Sequence, residues 1–123
     1  VPKPYLMKET VSADGKTVES FVPKDSRGYT LMSEEDALVM QGYLRSVITD
    51  GTGSGLLTDR YEAYGKTGTA EYNSAGDSHS WFVGYARQEG KPDLAVAVIL
   101  EGAGAGSSYA VPAAKMVFDT YFQ

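Results

Sequence analysis

The chain has 123 residues, 42% of them hydrophobic, and its 16 acidic side chains outnumber 11 Lys and Arg for a net charge of −5. That is enough for one small domain with a single core; it excludes disorder, and the acidic balance offers no electrostatic footprint for nucleic acid or an anionic lipid surface. The absence of cysteine excludes disulfides, thiolate metal sites and a cysteine nucleophile, and a single histidine, His79, argues against a His-based metal cluster or a Ser-His-Asp triad, so neither metal nor cofactor is expected.

The chain opens on Val1-Pro2-Lys3-Pro4, with no initiator Met and none of the charged and apolar regions of a signal peptide, and reads as a cut end. Residues 5–11 and 16–22 flank Asp14-Gly15, a turn signal that predicts a hairpin, and residues 23–28 form a polar loop. Ser33 is a suitable N-cap. Glu34, Glu35 and Asp36 behind it put negative charge on the first turn of a helix, where the dipole favours it. Ala37, Met40, Leu44, Val47 and Ile48 recur at helical spacing as its expected buried stripe, Asp50-Gly51 stops it, and Gly51-Thr52-Gly53-Ser54-Gly55 makes a glycine-rich loop. In that loop Thr52 is expected to buttress the turn.

Three strands are expected next, over residues 64–72, 79–88 and 94–101. The polar stretch over 73–78 serves as a hairpin loop, and Gly90-Lys91-Pro92-Asp93 turns into the third strand. Trp81 and Phe82 read as core, and Glu71 as a solvated strand residue. The third strand is apolar on both faces, which predicts a central position. Its run from Leu94 to Leu100 is far short of the roughly 20 residues that span a bilayer. A last helix is expected over 108–122, with Pro112 tolerated near its start and Ala110, Ala113, Val117 and Tyr121 on its inner face. Strands and helices segregate along the chain, so the expected class is α+β: an antiparallel sheet of three C-terminal strands plus the N-terminal hairpin, with flanking helices.

Three glycine motifs compete for chemistry. Gly65-Lys66-Thr67 resembles the tail of a phosphate-binding loop, but that motif needs a further glycine where Arg60 stands, and it must open a helix rather than enter a strand. Gly102-Ala103-Gly104-Ala105-Gly106 resembles a dinucleotide fingerprint with its third glycine one place early and too little chain after it for a second strand; a flexible turn from strand to helix explains it.

The third motif is Lys66-Thr67-Gly68-Thr69-Ala70. Upstream lies Gly51-Thr52-Gly53 after a helix, and Gly65 immediately precedes the motif. His79-Ser80-Trp81-Phe82-Val83-Gly84-Tyr85-Ala86 follows, then an apolar strand and a helix with Ala110-Val111-Pro112-Ala113. This ordered series resembles, over essentially the whole chain, the C-terminal half of the transpeptidase domain of class B penicillin-binding proteins, whose set of motifs is Ser-x-x-Lys, Ser-x-Asn and Lys-Thr-Gly. The resemblance implies part of the serine β-lactamase/penicillin-binding transpeptidase fold. It also implies a serine acyl-enzyme that cross-links D-alanyl-D-alanine stem peptides of peptidoglycan and is the target of β-lactams, at the outer face of the bacterial cytoplasmic membrane and anchored by an upstream segment.

On that resemblance Lys66 supplies positive charge to one wall of the cleft, and the Thr67 and Thr69 hydroxyls, on one face of a strand, bind the substrate carboxylate. Gly68 lets the substrate backbone approach, and the Thr69 backbone N–H forms half of the oxyanion hole. His79 is a further candidate for the cleft wall, against its plainer reading as a structural hydrogen-bonding residue.

No serine has Lys three places on or Asn two places on. The nucleophile is therefore absent from the chain, which reads as the C-terminal portion, 1–123, of a domain whose N-terminal portion carries it. The isolated chain is expected to be inactive. The missing portion is expected to pair with the free edge of the third strand, and an uncovered edge favours self-association. A non-catalytic β-lactam sensor or interaction module on the same scaffold, or a serine β-lactamase fragment, are the alternatives.

Overall fold

The computed structural model describes residues 6–22, 30–72, 76 and 78–123. Tyr5, the polar loop over 23–28 and most of the turn over 73–78 lie outside the described residues. The chain divides into two compact units, Val1–Ala37 and Leu38–Gln123.

In the first unit β1 (Glu9–Val11) and β2 (Thr17–Ser20) pair antiparallel around the expected turn, as a two-stranded sheet of their own. Gly15 sits at φ +80°, the left-handed region that glycine enters without strain. The Ser12 N–H donates to the Lys16 carbonyl and the Gly15 N–H to the Ser12 carbonyl, each at 2.9 Å, which closes the turn. Every residue of both strands is exposed. Farther on, the Asp36 N–H donates to Ser33 Oγ at 3.0 Å and Ser33 Oγ donates back to the Asp36 carboxylate at 2.7 Å. This reciprocal cap starts α1 (Glu34–Thr49) where the sequence predicts it.

The buried stripe of α1 differs from expectation. Ile48 is buried and Ala37, Leu44 and Val47 are half-buried, but Met40 is 45% exposed and Gln41 and Arg45 take the less exposed side. Arg45 is the reason: its guanidinium donates to the Ala63 carbonyl at 2.9 Å, so its stem occupies space that a purely apolar stripe would have filled.

In the second unit β3 (Glu62–Glu71), β4 (Ser78–Arg87) and β5 (Leu94–Leu100) form an antiparallel sheet in chain order, followed by α2 (Ala110–Tyr121). The register sets Thr67 opposite Phe82 and Phe82 opposite Val98, and Ala63 opposite Ala86 and Ala86 opposite Leu94. One face of the sheet therefore presents Ala63, Thr67, Phe82 and Ala86, all buried, with Leu94, Val96 and Val98 half-buried beside them. Helix α2 covers this face with Ala110, Val111, Ala114 and Phe118, and Tyr61 joins Phe118 and Phe122 in an aromatic cluster with ring centroids 5.4–6.4 Å apart. The Phe82 ring lies in the space a side chain at Gly65 or Gly84 would need, which is why both positions are glycine.

Two expectations are corrected here. The inner face of α2 is Val111, Ala114, Phe118 and Phe122 with Ala110, not the stripe through Ala113, Val117 and Tyr121; Val117 and Tyr121 are exposed. Both stripes are apolar, and the two phenylalanines bury more area than Val117 and Tyr121 offer, so the helix turns them inward. Strand β5 is an edge of the three-stranded sheet and β4 its centre. Half-buried Leu94, Val96 and Val98 face α2, while Ala95, Ala97 and Ile99 on the second apolar face are exposed. Among the described residues no helix is long and apolar enough to cross a membrane.

Candidate functional site

The Lys66-Thr67-Gly68-Thr69 motif lies within β3, the strand at the other edge of the same sheet. A strand in that position has no room for the helix that a phosphate-binding loop must open. The side chains divide as period two requires: Thr67 and Thr69 share the α2 face with Ala63, and Lys66 lies on the opposite face with Tyr64. Lys66 runs over an apolar floor of Val83, Tyr85 and Ala97, with Leu44 beside it. Its Nζ then turns to the strand edge and donates to the Thr67 carbonyl at 2.7 Å.

The direction of the backbone groups follows from the glycines. A Cβ on Gly84 would collide with the Tyr64 carbonyl, and one on Gly65 would lie 2.8 Å from the Val83 carbonyl. The Tyr64 carbonyl therefore points across to β4. Backbone polar groups alternate between the two edges along an antiparallel strand, so Lys66 and Gly68 share that direction, whereas Thr67 and Thr69 turn theirs to the edge away from β4. That edge carries no partner strand among the described residues. The Thr69 N–H and the Lys66 ammonium thus meet along one open rim.

Two elements brace the motif. After α1 the chain turns through Gly51-Thr52-Gly53 into a single 3-10 turn, Ser54–Leu56. A Cβ on Gly51 would lie 2.9 Å from the Val47 carbonyl, so backbone excludes a side chain there, and one on Gly53 would lie 2.6 Å from Ile48 Cδ1, so the turn folds tightly on the helix end. The turn carries Thr52 to the sheet, where its Oγ1 lies 2.6 Å from Thr67 Oγ1. Thr52 is thus bonded to the motif and does more than buttress its own turn. This partnership links positions 15 residues apart, and the signal for it in the sequence is the pair of glycines around a lone hydroxyl.

The second brace is the loop from β5 to α2. It is a turn, as expected, but one tied down throughout. Gly102 and Gly104 have φ of +62° and +93°. The Gly102 N–H donates to His79 Nδ1 at 3.1 Å, the Gly104 N–H to the Ser78 carbonyl at 3.0 Å, and the Gly106 N–H to Thr69 Oγ1 at 3.4 Å. Ser80, fully buried opposite Thr69, donates to the Ala105 carbonyl at 3.0 Å and accepts the Ala110 N–H at 3.0 Å. One hydroxyl thereby joins β4, the loop and the first turn of α2; its role was not visible in the sequence, because a serine in an aromatic strand carries no positional signal.

His79 is half-buried. Its ring stacks on Tyr72 with centroids 4.3 Å apart and 7° between planes, and its Nδ1 is occupied by Gly102. Trp81 is half-buried opposite Gly68, and Phe82 is in the core. Glu71 is exposed at the end of β3.

A cavity of about 800 Å³, lined by Arg45, Arg60, Glu62, Arg87 and Asp93 among others, includes none of the motif residues. Near it Tyr64 and Tyr85 stack at 4.8 Å with Arg87 over both rings, and burial raises the pKa of each phenol. Asp119 on α2 takes bonds from Arg60 at 2.6 Å, Tyr61 at 2.9 Å and Lys115 at 3.0 Å. The Lys115 bond is the main cause that holds its carboxyl below the usual carboxylate range. Burial, reinforced by Asp119, pushes the Tyr61 hydroxyl up.

An edge strand bearing a lysine, two braced hydroxyls and outward N–H groups has the chemistry to hold an anion. The comparisons with known proteins agree on the family. The penicillin binding protein transpeptidase domain matches residues 1–119, and the chain belongs to that family. Peptidoglycan D,D-transpeptidase MrdA of Acinetobacter baumannii is 36% identical over 94% of this chain, and its counterpart in Haemophilus influenzae is 42% identical over 58%. The chain spans 19% and 13% of the lengths of these two relatives. Among solved structures, the D,D-transpeptidase domain of a peptidoglycan glycosyltransferase from Eggerthella lenta aligns with a TM-score of 0.65 at 27% identity, over 93% of this chain and 27% of that one. The fold class read from the sequence, α+β with antiparallel sheets and flanking helices, is the one observed.

Proposed function

We propose that the chain is the C-terminal portion of the transpeptidase domain of a class B penicillin-binding protein, a peptidoglycan D,D-transpeptidase, and that it forms one wall of the active-site cleft. The observation that carries this reading is the open rim of β3, where the Lys66 ammonium and the outward Thr69 N–H lie together. In the intact domain a serine from the upstream portion attacks the D-alanyl-D-alanine carbonyl, D-alanine leaves, and an amine of a second stem peptide takes the acyl group. β-Lactams acylate the same serine.

Each motif residue then has a task. The Thr69 N–H is one of two donors to the tetrahedral oxyanion; losing such a donor costs about 3–4 kcal/mol of transition-state stabilisation. Thr67 and Thr69 hydroxyls take the terminal carboxylate, Lys66 adds charge to that wall, and Gly68 leaves the strand bare for the substrate backbone. His79, with its Nδ1 held by Gly102, fixes the loop rather than touching substrate. The rest of the domain pairs with the outer edge of β5 and covers Ile99. In its absence copies of the chain associate through that edge, which sedimentation at rising concentration tests. The location is the outer face of the cytoplasmic membrane, with the anchor upstream.

The test is incubation of the full-length protein and of residues 1–123 with a labelled penicillin, followed by intact-mass analysis. The full-length protein gains one adduct and the isolated chain none. Lys66→Ala in the full-length protein slows acylation by about 100-fold or more. An adduct on the isolated chain, or a full-length protein that is never acylated, overturns the reading.

A further inference from the structure

Both motif threonines are met from behind, but by different kinds of group. Thr69 Oγ1 accepts the Gly106 N–H at 3.4 Å. A hydroxyl has one proton and two lone pairs, so this contact fixes the polarity: the Thr69 proton remains free to be given to a ligand at the front of the strand. Among the described residues Thr67 Oγ1 meets no N–H. Its partner is Thr52 Oγ1 at 2.6 Å, a contact in which either oxygen can donate.

A bound anion breaks that symmetry, because it offers acceptors only. Thr67 is 8% exposed, whereas Thr52 is exposed. Thr52 is open to water and can donate inward or accept with equal ease, so the group that faces Thr67 decides. Were Thr67 to donate to Thr52, its proton would be spent, and it would turn only lone pairs toward an anion. With Thr52 as donor, Thr67 is left with a proton to give, and the two hydroxyls form a chain in which each bond polarises the next.

We propose that Thr52 is a positioning residue for carboxylate recognition: its hydroxyl donates to Thr67 and so orients the Thr67 proton toward the carboxylate of the bound ligand. This rests on the reading that the motif holds a carboxylate. Thr52 does for Thr67 what the Gly106 amide does for Thr69, and Gly51 and Gly53 are the means by which the chain brings that hydroxyl to the strand.

The experiment uses the full-length protein that carries this segment. Acylation rate constants are measured for a penicillin and for its analogue lacking the ring carboxyl group, with thermal unfolding of each variant alongside. Thr52→Val, which keeps the shape and removes the hydroxyl, lowers the rate with the carboxylate by about tenfold and leaves the rate with the decarboxylated analogue unchanged. Thr52→Ser, the milder change, restores the carboxylate rate, and in a Thr67→Val background Thr52→Val has no further effect. Equal loss with both ligands, an unchanged ratio, or full additivity of the two substitutions overturns the proposal. A Thr52→Val protein that does not fold moves the comparison to Thr52→Ser against Thr52→Ala, with the same ratio as the readout. A wild-type protein that neither ligand acylates sinks the underlying reading together with this one; a wild-type protein that is acylated while the ratio stays fixed in the variant sinks this one alone.

Discussion

A Cβ placed on Gly106 would lie 2.6 Å from the carbonyl oxygen of Gly68. The same atom would be 2.6 Å from the Trp81 carbonyl, so the loop rests directly on backbone at the one register pair where the motif glycine faces the tryptophan. Neither obstacle is the end of a flexible side chain. Gly106→Ala must therefore move the loop off the sheet. The expected cost is about 1–3 kcal/mol, and chemical denaturation measures it. A variant as stable as the wild type would show that the loop does not rest there.

Ser80→Ala leaves the buried Ala110 N–H without its partner and takes from the Ala105 carbonyl one of its two donors, the other being the Ser108 N–H. A loss of about 1–3 kcal/mol is expected. Amide hydrogen exchange gives the sharper readout, because the Ala110 amide should exchange faster in the variant while central β4 amides are slowed or quickened only through global stability.

The inner face of α2 is tested by a pair of truncations. Phe118→Ala, at a fully buried position, should cost about 3–5 kcal/mol. Val117→Ala, at a position 45% exposed, should cost less than about 1 kcal/mol. Thermal unfolding of the two side by side distinguishes this face from the neighbouring stripe; the reverse order would restore the stripe through Val117 and Tyr121.

Asp119 gives an acid limb. Its carboxyl is held below the ordinary value of 3.8, chiefly by the Lys115 hydrogen bond. A carboxyl whose pKa falls on folding contributes stability that is complete above the unfolded value and is lost as pH drops through the folded one. Asp119→Asn should therefore be less stable than wild type at about pH 7, with the gap narrowing progressively as pH falls below 3.8, as urea unfolding across that range will show. A gap that persists in acid would assign the loss to packing.

The sequence revealed chemistry more readily than orientation. Strands β3, β4 and β5 lie within two residues of their expected bounds, because alternation and glycine-rich turns mark them from both sides. The motif was legible because Lys, Thr and Gly at that spacing have few other reasons to stand beside His79 to Ala86. Which side of each helix turns inward was not legible. Met40 and Gln41, or Val117 and Phe118, compete on equal terms until the partner surface is known, and the Arg45 bond to Ala63 and the aromatic cluster around Tyr61 decided the outcome. For β5, two apolar faces stated that both can be covered, not that this chain covers both. The Ser80 junction was hidden for a different reason: hydroxyl bonds across 25 and 30 residues leave no periodic trace.

The placement of Trp81 gives the motif an optical reporter. It is the chain's one tryptophan, and it stands opposite Gly68, the position where the strand carries no side chain to shield it. Emission from this indole will respond to the polarity of whatever occupies the bare stretch of β3. On the function proposed above, a shift to shorter wavelength on adding the proposed upstream portion would record that stretch being covered, in real time and without a label.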